Sequence, residues 1–249
     1  MFIYGVVNAS PDSLAEDSVV KSVSEATKRA EKLLIEGADG IDLGGQGSTD
    51  VATIVDWRLE WERVEKIIPA LSKLKVEISI DSWKPEVISR ALQMGATVIN
   101  AADGMQSEAM WKVASDFKVP IVIPFLSGEN PRKMSIVKED PINAMNDFFA
   151  ERLETAEKFD LRERCILDPG TGFAPPEWAW SERFVYQKRV YSNIEKLRKF
   201  KLPIYLALPW KETTEHNELL EIALRGRPEC ALVHYPAKVR QVEASVTFN

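Results

Sequence analysis

The sequence contains few of the residues that build disulfide or metal-bound scaffolds. Among its 249 residues there are only two cysteines, Cys165 and Cys230, and two histidines, His216 and His234. With no CxxC pair present, neither a disulfide framework nor a structural zinc site is expected. Each cysteine begins an apolar, strand-like run, so we expect both thiols to be reduced and to lie in the core.

Long hydrophobic runs and an excess of positive charge are also missing. No apolar run approaches the length that spans a bilayer, and no basic segment followed by an apolar core opens the chain. We therefore expect a cytoplasmic protein with no membrane partner. The formal net charge is −6 with both signs interspersed, which argues against nucleic acid as the main partner.

The sequence does contain a regular alternation of strand-like and helix-like segments. Eight apolar or β-branched runs are each followed by an amphipathic helical pattern, which is typical of a parallel α/β sheet. A chain of 249 residues has the usual size of a single (β/α)8 barrel. Because we find no antiparallel interruption and no GxGxxG in the first turn, we predict one TIM barrel over residues 1–249 rather than an open dinucleotide-binding sheet.

The local spacing also predicts individual helices and loops. It indicates one long amphipathic helix over residues 56–74, with Trp57 and Trp61 in packing positions, and another over residues 181–200. The stretch after the fifth strand, through Gly128 and Pro131, is predicted to be a loop.

Five predicted strands end in a carboxylate or an amide. These residues are Asn8, Asp42, Asp81, Asn100 and Asp168. Taken singly, such a residue more often serves as a turn or cap than as a catalytic group. In a closed barrel, however, the carboxyl ends of all strands meet at one mouth, where these enzymes place their chemistry. The five side chains are therefore candidates for one site, with Asp81 at its centre.

These strand ends lie within motifs that resemble dihydropteroate synthase. Residues 5–14 read GVVNASPDSL, similar to the family signature GxxNxTPDSF, and residues 37–45 read GADGIDLGG, similar to its second signature. Residues 80–87, 98–100 and 167–173 match the family's third, fourth and sixth strand ends. The matching motifs occur in the family's order along the chain.

The resemblance implies a transferase of folate biosynthesis that joins a pterin-methyl pyrophosphate to an aryl amine such as p-aminobenzoate, with Mg²⁺ as cofactor. The resemblance also implies roles for individual residues. It assigns catalysis to Asp81, Lys211 and Asn8. Pterin binding is assigned to Asp81, Asn100, Asp168, Lys211 and Phe173. Pyrophosphate binding is assigned to Asn8, His234 and Thr49, and the metal to Asn8.

The sequence departs from the family at its anion-binding positions. Asp50, Trp210 and Leu232 stand where the family has arginine. We also expect the barrel to lack the family's usual N-terminal hairpin. Arg58, Arg132 and Lys133 lie in neighbouring segments and are candidate substitutes. Three interpretations therefore stay open: a divergent synthase, a pterin-binding protein without synthase activity, and a folate-dependent methyltransferase-type barrel. The partners expected are a pterin and an aryl amine, and a homodimer is possible.

Overall fold

The computed structural model describes residues 1–12, 15–47, 52–131, 133–135, 140–173 and 177–247. Eight parallel strands form the main sheet. They are β1 (Phe2–Asn8), β2 (Gly40–Gly44), β3 (Glu77–Ser82), β4 (Val98–Ala101), β5 (Ile121–Pro124), β8 (Cys165–Asp168), β9 (Tyr205–Ala207) and β10 (Cys230–Val233); β6 and β7 form a separate pair described below. Across the sheet the strands lie in the order β8-β5-β4-β3-β2-β1-β10-β9.

The two outer strands of this order meet and close the sheet. Leu167 of β8 forms a parallel bridge with Ile204, and its N–H donates to the carbonyl of Pro203 at 2.9 Å. The predicted (β/α)8 TIM barrel is therefore confirmed.

Helices follow each barrel strand and cover the outside of the sheet. They are α1 (Val23–Ile35), α2 (Trp57–Val64), α3 (Ile67–Ser72), α4 (Pro85–Gln93), α5 (Glu108–Phe117), α6 (Pro141–Lys158), α7 (Trp180–Tyr191), α8 (Thr214–Arg225) and α9 (Pro236–Thr247). Five of them, α1, α2, α5, α6 and α8, begin with a side-chain cap; Ser22, for example, accepts a hydrogen bond from the Glu25 N–H at the start of α1. None of the described helices combines the length and the apolar composition of a bilayer span.

The prediction of one helix over residues 56–74 is wrong. The structure has two helices there, α2 and α3, which are separated at Glu65 and Lys66. Pro69 explains the break, because proline lacks an N–H to bond to the carbonyl of Glu65 and its ring clashes with that carbonyl. The proline was visible in the sequence, and the apolar periodicity that continued through it was misleading.

Two further predictions need correction. The predicted helix over residues 181–200 ends at Tyr191, and a 3₁₀ helix follows over Ile194–Phe200. The Asn193 side chain donates to the carbonyl of Arg189 at 2.8 Å and so satisfies the end of α7. The stretch after β5 is not a loop throughout but contains a small antiparallel pair, β6 (Gly128–Asn130) and β7 (Lys133–Met134).

The barrel has two distinct apolar regions. The larger core lies between the sheet and its helices. A smaller cluster fills the barrel interior, where alternate strand residues point inward. Its buried members are Tyr4, Val98, Val122, Ile166 and Tyr205. The interior is not purely apolar, since the Tyr4 hydroxyl donates to the Glu77 carboxylate at 2.7 Å.

Candidate active site

Strand register brings the predicted site residues to one level of the barrel. Asn8 pairs with Gly44, Gly44 with Asp81, and Asp81 with Asn100. These four residues therefore form a continuous row across β1, β2, β3 and β4, although they span more than ninety positions of the sequence. Because side chains alternate along each strand, the members of one row share a face of the sheet.

Gly44 leaves a gap between two of these side chains. A methyl group at Gly44 would lie 3.3 Å from Oδ1 of Asn8 and 3.7 Å from Oδ2 of Asp81. The amide oxygen and the carboxylate oxygen thus face the same small space, which glycine keeps open. Two protein oxygens around one space suit a hard cation whose other ligands are oxygens of a bound small molecule.

Asp42 orients Asn100. Its Oδ1 accepts a hydrogen bond from the Ser79 hydroxyl at 2.6 Å and another from the Asn100 amide nitrogen at 3.2 Å. With its nitrogen held by Asp42, Asn100 presents its amide oxygen as an acceptor. Burial raises the pKa of Asp42 to about 6, although the hydrogen bonds from Ser79 and Asn100 act in the opposite direction.

Asp168 is held by the turn that follows β8. Its Oδ1 accepts from the Gly170 N–H at 2.8 Å, and the described contacts leave Oδ2 to a ligand. Gly170 has a φ of +69°, and a Cβ atom there would lie 2.1 Å from the carbonyl oxygen of Phe125, so only glycine fits. Burial raises the pKa of Asp168 to about 7.

Asp81 lies among other carboxylates. Burial and the nearby charges of Asp42, Glu60 and Asp168 together raise its pKa well above the usual range. Like charges in a poorly solvated site each favour the protonated form of their neighbours. A ligand that donates hydrogen bonds or carries positive charge relieves this repulsion, so the mouth is suited to such ligands.

A buried ion pair lies behind this row. Glu60 of α2 is 0% exposed, and its Oε2 pairs with the Lys84 ammonium, which also lies 4.9 Å from the ring centroid of Trp83. The other carboxylate oxygen of Glu60 has no hydrogen-bonding partner among the described residues. The sequence analysis missed this pair. Glu60 follows Trp57 by three positions and so falls on the apolar face of α2, which is a readable signal.

Phe173 belongs to an aromatic pocket beside Asp168. Phe125, Trp178 and Tyr186 line the same pocket, together with Gly170. Burial, and after it the charge of Asp168, raise the pKa of the Tyr186 hydroxyl above its usual value. Flat aromatic walls next to hydrogen-bonding carboxylates suit a planar heterocycle.

The family follows from comparison with known sequences. A profile of the family described as "Pterin binding enzyme" matches residues 4–238. The chain belongs to the pterin binding enzyme family. It is 32% identical to a dihydropteroate synthase of Staphylococcus haemolyticus over 82% of this chain and 73% of that protein. It is 36% identical to one of Synechocystis over 70% of this chain and 61% of that protein.

Solved structures of pterin binding enzymes share the fold. A dihydropteroate synthase of Clostridium difficile, determined in the presence of pteroic acid, superposes with a TM-score of 0.84 at 24% identity, over 100% of this chain and 96% of that one. One from Anaplasma phagocytophilum, with bound 6-hydroxymethylpterin-monophosphate, gives 0.83 at 22% identity, over 100% and 98%. At these identities the superpositions establish the fold alone.

Two predicted residues of the pterin binding enzyme lie at the ends of β9 and β10. Lys211 is exposed, with its ammonium 5.6 Å from the ring centroid of Trp210, and no described contact joins it to the carboxylates. The His234 ring lies 5.4 Å from the same tryptophan ring. Burial, together with Arg29, lowers the pKa of His234 to about 4, so this ring is neutral at pH 7.

The anion end of the family site is only partly described. Thr49, Asp50 and Arg132 lie outside the described residues. Arg58 stacks on Trp57 at 4.6 Å, and Lys133 pairs with Glu129 at 3.0 Å. A further cation that the sequence analysis missed lies beside the end of β2, where Arg63 donates to the carbonyl of Gly45 at 2.8 Å.

Proposed function

We propose that this pterin binding enzyme is a dihydropteroate synthase-like transferase that condenses a pterin-methyl pyrophosphate with an aryl amine. The C–O bond between the pterin methylene and pyrophosphate breaks, a C–N bond to the amine forms, and the amine loses a proton. The observation that carries the proposal is the convergence of Asp42, Asp81, Asn100 and Asp168 at one mouth, with the pKa values of all three carboxyls raised. The relatives at 32% and 36% identity are named for this activity.

Each group has a chemical task in this reaction. Asp168 and the amide oxygen of Asn100 accept hydrogen bonds from the amino and ring N–H groups of the pterin, and Phe173 packs against its ring. Asp81 lies close to the methylene that becomes cationic as pyrophosphate leaves. The developing positive charge favours the ionised form of this carboxyl, and the resulting attraction lowers the barrier. Lys211 donates to the pterin carbonyl, and this requires its exposed side chain to turn away from Trp210.

The mouth suits Mg²⁺ that arrives with the pyrophosphate. Asn8 would supply an amide oxygen beside the gap at Gly44, and Asp81 would supply a carboxylate oxygen. Mg²⁺ is commonly held by one or two protein oxygens together with phosphate oxygens and waters. Among the described residues no cluster of three or more histidine, cysteine or acidic groups forms a separate metal site. When bound, the ion would neutralise charge on the leaving pyrophosphate. His234 is the described residue of the proposed pyrophosphate site, whereas Thr49, which the sequence also assigns to it, lies outside the described residues.

A second candidate is a pterin-binding protein without synthase activity. It is favoured because two cations that could replace the family's missing arginines already have partners within the protein. Arg58 stacks on Trp57, and Lys133 pairs with Glu129. The folate-dependent methyltransferase interpretation has no such observation in its favour. The predictions of a cytoplasmic location and a homodimer stay predictions from the sequence.

Release of pyrophosphate separates the two candidates. The protein is mixed with a 6-hydroxymethyl-dihydropterin pyrophosphate, p-aminobenzoate and Mg²⁺, and pyrophosphate is measured by a coupled assay, with other aryl amines tested in parallel. Synthase activity predicts Mg²⁺-dependent release that requires an amine. If folded protein binds the pterin but releases nothing with any amine, the binding-protein function replaces the synthase.

Replacing Gly44 with alanine should slow the reaction while leaving the fold intact. The new methyl group occupies the space between Asn8 and Asp81, and no left-handed φ opposes the substitution at this glycine. We expect pyrophosphate release to fall at least about tenfold, which corresponds to about 1.4 kcal/mol of barrier. Binding of a pterin without pyrophosphate serves as the control and should change little. Full activity in Gly44→Ala would show that this gap takes no part in the reaction.

A further inference from the structure

Ser18 lies beside Asn8, although the two residues are ten positions apart in the sequence. The chain after β1 turns back along the end of that strand, where the carbonyl of Asn8 accepts a hydrogen bond from the Val20 N–H at 2.8 Å. Ser18 is 0% exposed and ends the short 3₁₀ turn Glu16–Ser18, in which its N–H donates to the carbonyl of Ala15 at 2.8 Å. Backbone hydrogen bonds therefore hold Ser18 next to the end of β1.

The hydroxyl of Ser18 determines which way the amide of Asn8 faces. Its oxygen lies 2.6 Å from the carbonyl oxygen of Ala15, and two oxygens come this close when a hydrogen lies between them. The hydroxyl hydrogen is therefore donated to that carbonyl, and the hydroxyl oxygen acts as an acceptor. It accepts from Nδ2 of Asn8 at 2.8 Å. With its nitrogen on Ser18, the amide of Asn8 turns its oxygen the other way.

That oxygen faces the gap at Gly44. A methyl group at Gly44 would lie 3.3 Å from Oδ1 of Asn8, and Asp81 borders the same gap. If Ser18 did not hold the amide nitrogen, the carboxyl oxygens of Asp81 would attract it, because an amide N–H donates to such oxygens. The gap would then be lined by an N–H group, which cannot bind a metal ion that takes oxygen ligands. The contact with Ser18 opposes this rotation.

We propose that Ser18 is a positioning residue for the metal and pyrophosphate end of the site, where its buried hydroxyl keeps the amide oxygen of Asn8 turned toward the gap at Gly44. This inference rests on the proposed function and deepens it. Ser18 is fully buried and so acts through Asn8 rather than by contact with the ligand. If the amide could rotate, only a fraction of the molecules would be competent to bind Mg²⁺ with pyrophosphate, and the apparent affinity would fall by that fraction.

Replacing Ser18 with alanine tests this assignment, because it removes the hydroxyl with little change in volume. Calorimetry measures the affinity of the protein for pyrophosphate in excess Mg²⁺ and, separately, for 6-hydroxymethylpterin. We expect the affinity for pyrophosphate to fall about tenfold, because an ordinary hydrogen bond no longer selects the orientation of the amide. The affinity for the pterin should stay the same, since the pterin is assigned to Asn100 and Asp168 rather than to Asn8.

Ser72→Ala is the matched control. The hydroxyl of Ser72 donates to the backbone carbonyl of Ile68 at 3.0 Å, as that of Ser18 donates to the carbonyl of Ala15, but it belongs to α3 on the outside of the barrel. Loss of this hydroxyl removes the same kind of hydrogen bond without changing the orientation of Asn8. Both affinities of Ser72→Ala should therefore match those of the wild type.

A second substitution distinguishes orientation of the amide from a general effect of Ser18 on the turn. Aspartate in place of Asn8 presents an oxygen to the gap whichever way it rotates, so Ser18→Ala should have little further effect in an Asn8→Asp background. The two backgrounds are compared by the rise in Tm at a fixed excess of pyrophosphate and Mg²⁺, which also detects weak binding. An equal loss in both backgrounds would mean that the hydroxyl only shapes the turn, and it would overturn the inference.

The same measurements separate this inference from the proposed function. Weaker binding of pyrophosphate alone by Ser18→Ala, relieved by Asn8→Asp, supports the assignment. Unchanged affinity for pyrophosphate, or an equal fall in both affinities, overturns it while leaving pterin binding by the wild type in place. If the wild type binds a pterin but no pyrophosphate, the inference fails and the pterin-binding protein without synthase activity is favoured. If the wild type binds no pterin, the proposed function itself fails.

Discussion

Replacing Asp168 with asparagine is expected to weaken pterin binding by about a hundredfold. Under the proposed function this carboxylate accepts paired hydrogen bonds from the pterin, and bonds to a charged group contribute about 1.5–3 kcal/mol each. Asparagine keeps an oxygen for the Gly170 N–H and so preserves the turn, but it presents an amide N–H where the ligand also donates. Asp116→Asn, at an exposed carboxylate on α5, is the control and should bind pterin as the wild type does.

The same substitution should stabilise the free protein above neutral pH. The carboxyl of Asp168 ionises near pH 3.8 in the unfolded chain but near pH 7 in the folded protein. Between these values the folded state holds more protons than the unfolded state, so the free energy of unfolding falls as pH rises. At pH 8 the cost of this buried charge is about 4 kcal/mol, and Asp168→Asn removes it. Below pH 4 the two proteins should have similar stability.

Urea unfolding between pH 4 and pH 8 measures this difference, and calorimetry over the same range measures binding. The wild type should lose stability toward pH 8 and the variant should lose less. Some slope should remain in the variant, because burial also raises the pKa values of Asp42 and Asp103 to about 6. Pterin affinity of the wild type should increase up to about pH 7 as Asp168 ionises. Equal stability of both proteins at pH 8 would contradict a buried charge at Asp168.

Replacing Lys84 with methionine should destabilise the protein by about 3–5 kcal/mol, because it leaves the buried charge of Glu60 without a partner. Glu60 is 0% exposed and one of its oxygens already lacks a partner among the described residues, so the ammonium is the main group that balances its charge. The apolar stem of methionine conserves most of the volume. The effect is therefore electrostatic rather than a loss of packing.

Two further variants test this electrostatic interpretation. Lys112→Met breaks an ion pair with Glu108 whose side chains are 65% and 73% exposed, and it should leave the stability nearly unchanged. Combining Lys84→Met with Glu60→Gln removes both buried charges and should recover most of the loss. All variants are compared by urea unfolding at pH 7. A loss in Lys84→Met no larger than that in Lys112→Met would mean that the Glu60 charge is solvated in solution.

Much of the candidate site could be proposed from the sequence because its residues lie in local patterns. Asn8, Asp81, Asn100 and Asp168 each follow an apolar run and precede a turn, and these signals extend over only a few residues. Once eight such units are arranged as parallel strands, closure of the barrel necessarily brings their carboxyl ends together. Two features that were missed could also have been predicted locally. Pro69 indicates the break between α2 and α3, and the position of Glu60 on the apolar face of α2 indicates a buried charge.

Other properties depend on residues far apart in the chain. Whether Tyr205 points into the barrel or toward a helix cannot be read from its strand, which alternates apolar residues on both faces. The pKa of Asp81 is raised by burial and by charges on α2, β2 and β8, which no local pattern connects. The sequence by itself determined the order of strands and helices, the family and the polar residues at the strand ends. Only the tertiary structure decided which of those groups are buried, charged and unpartnered, because desolvation and Coulomb interactions act through space between residues that the chain separates.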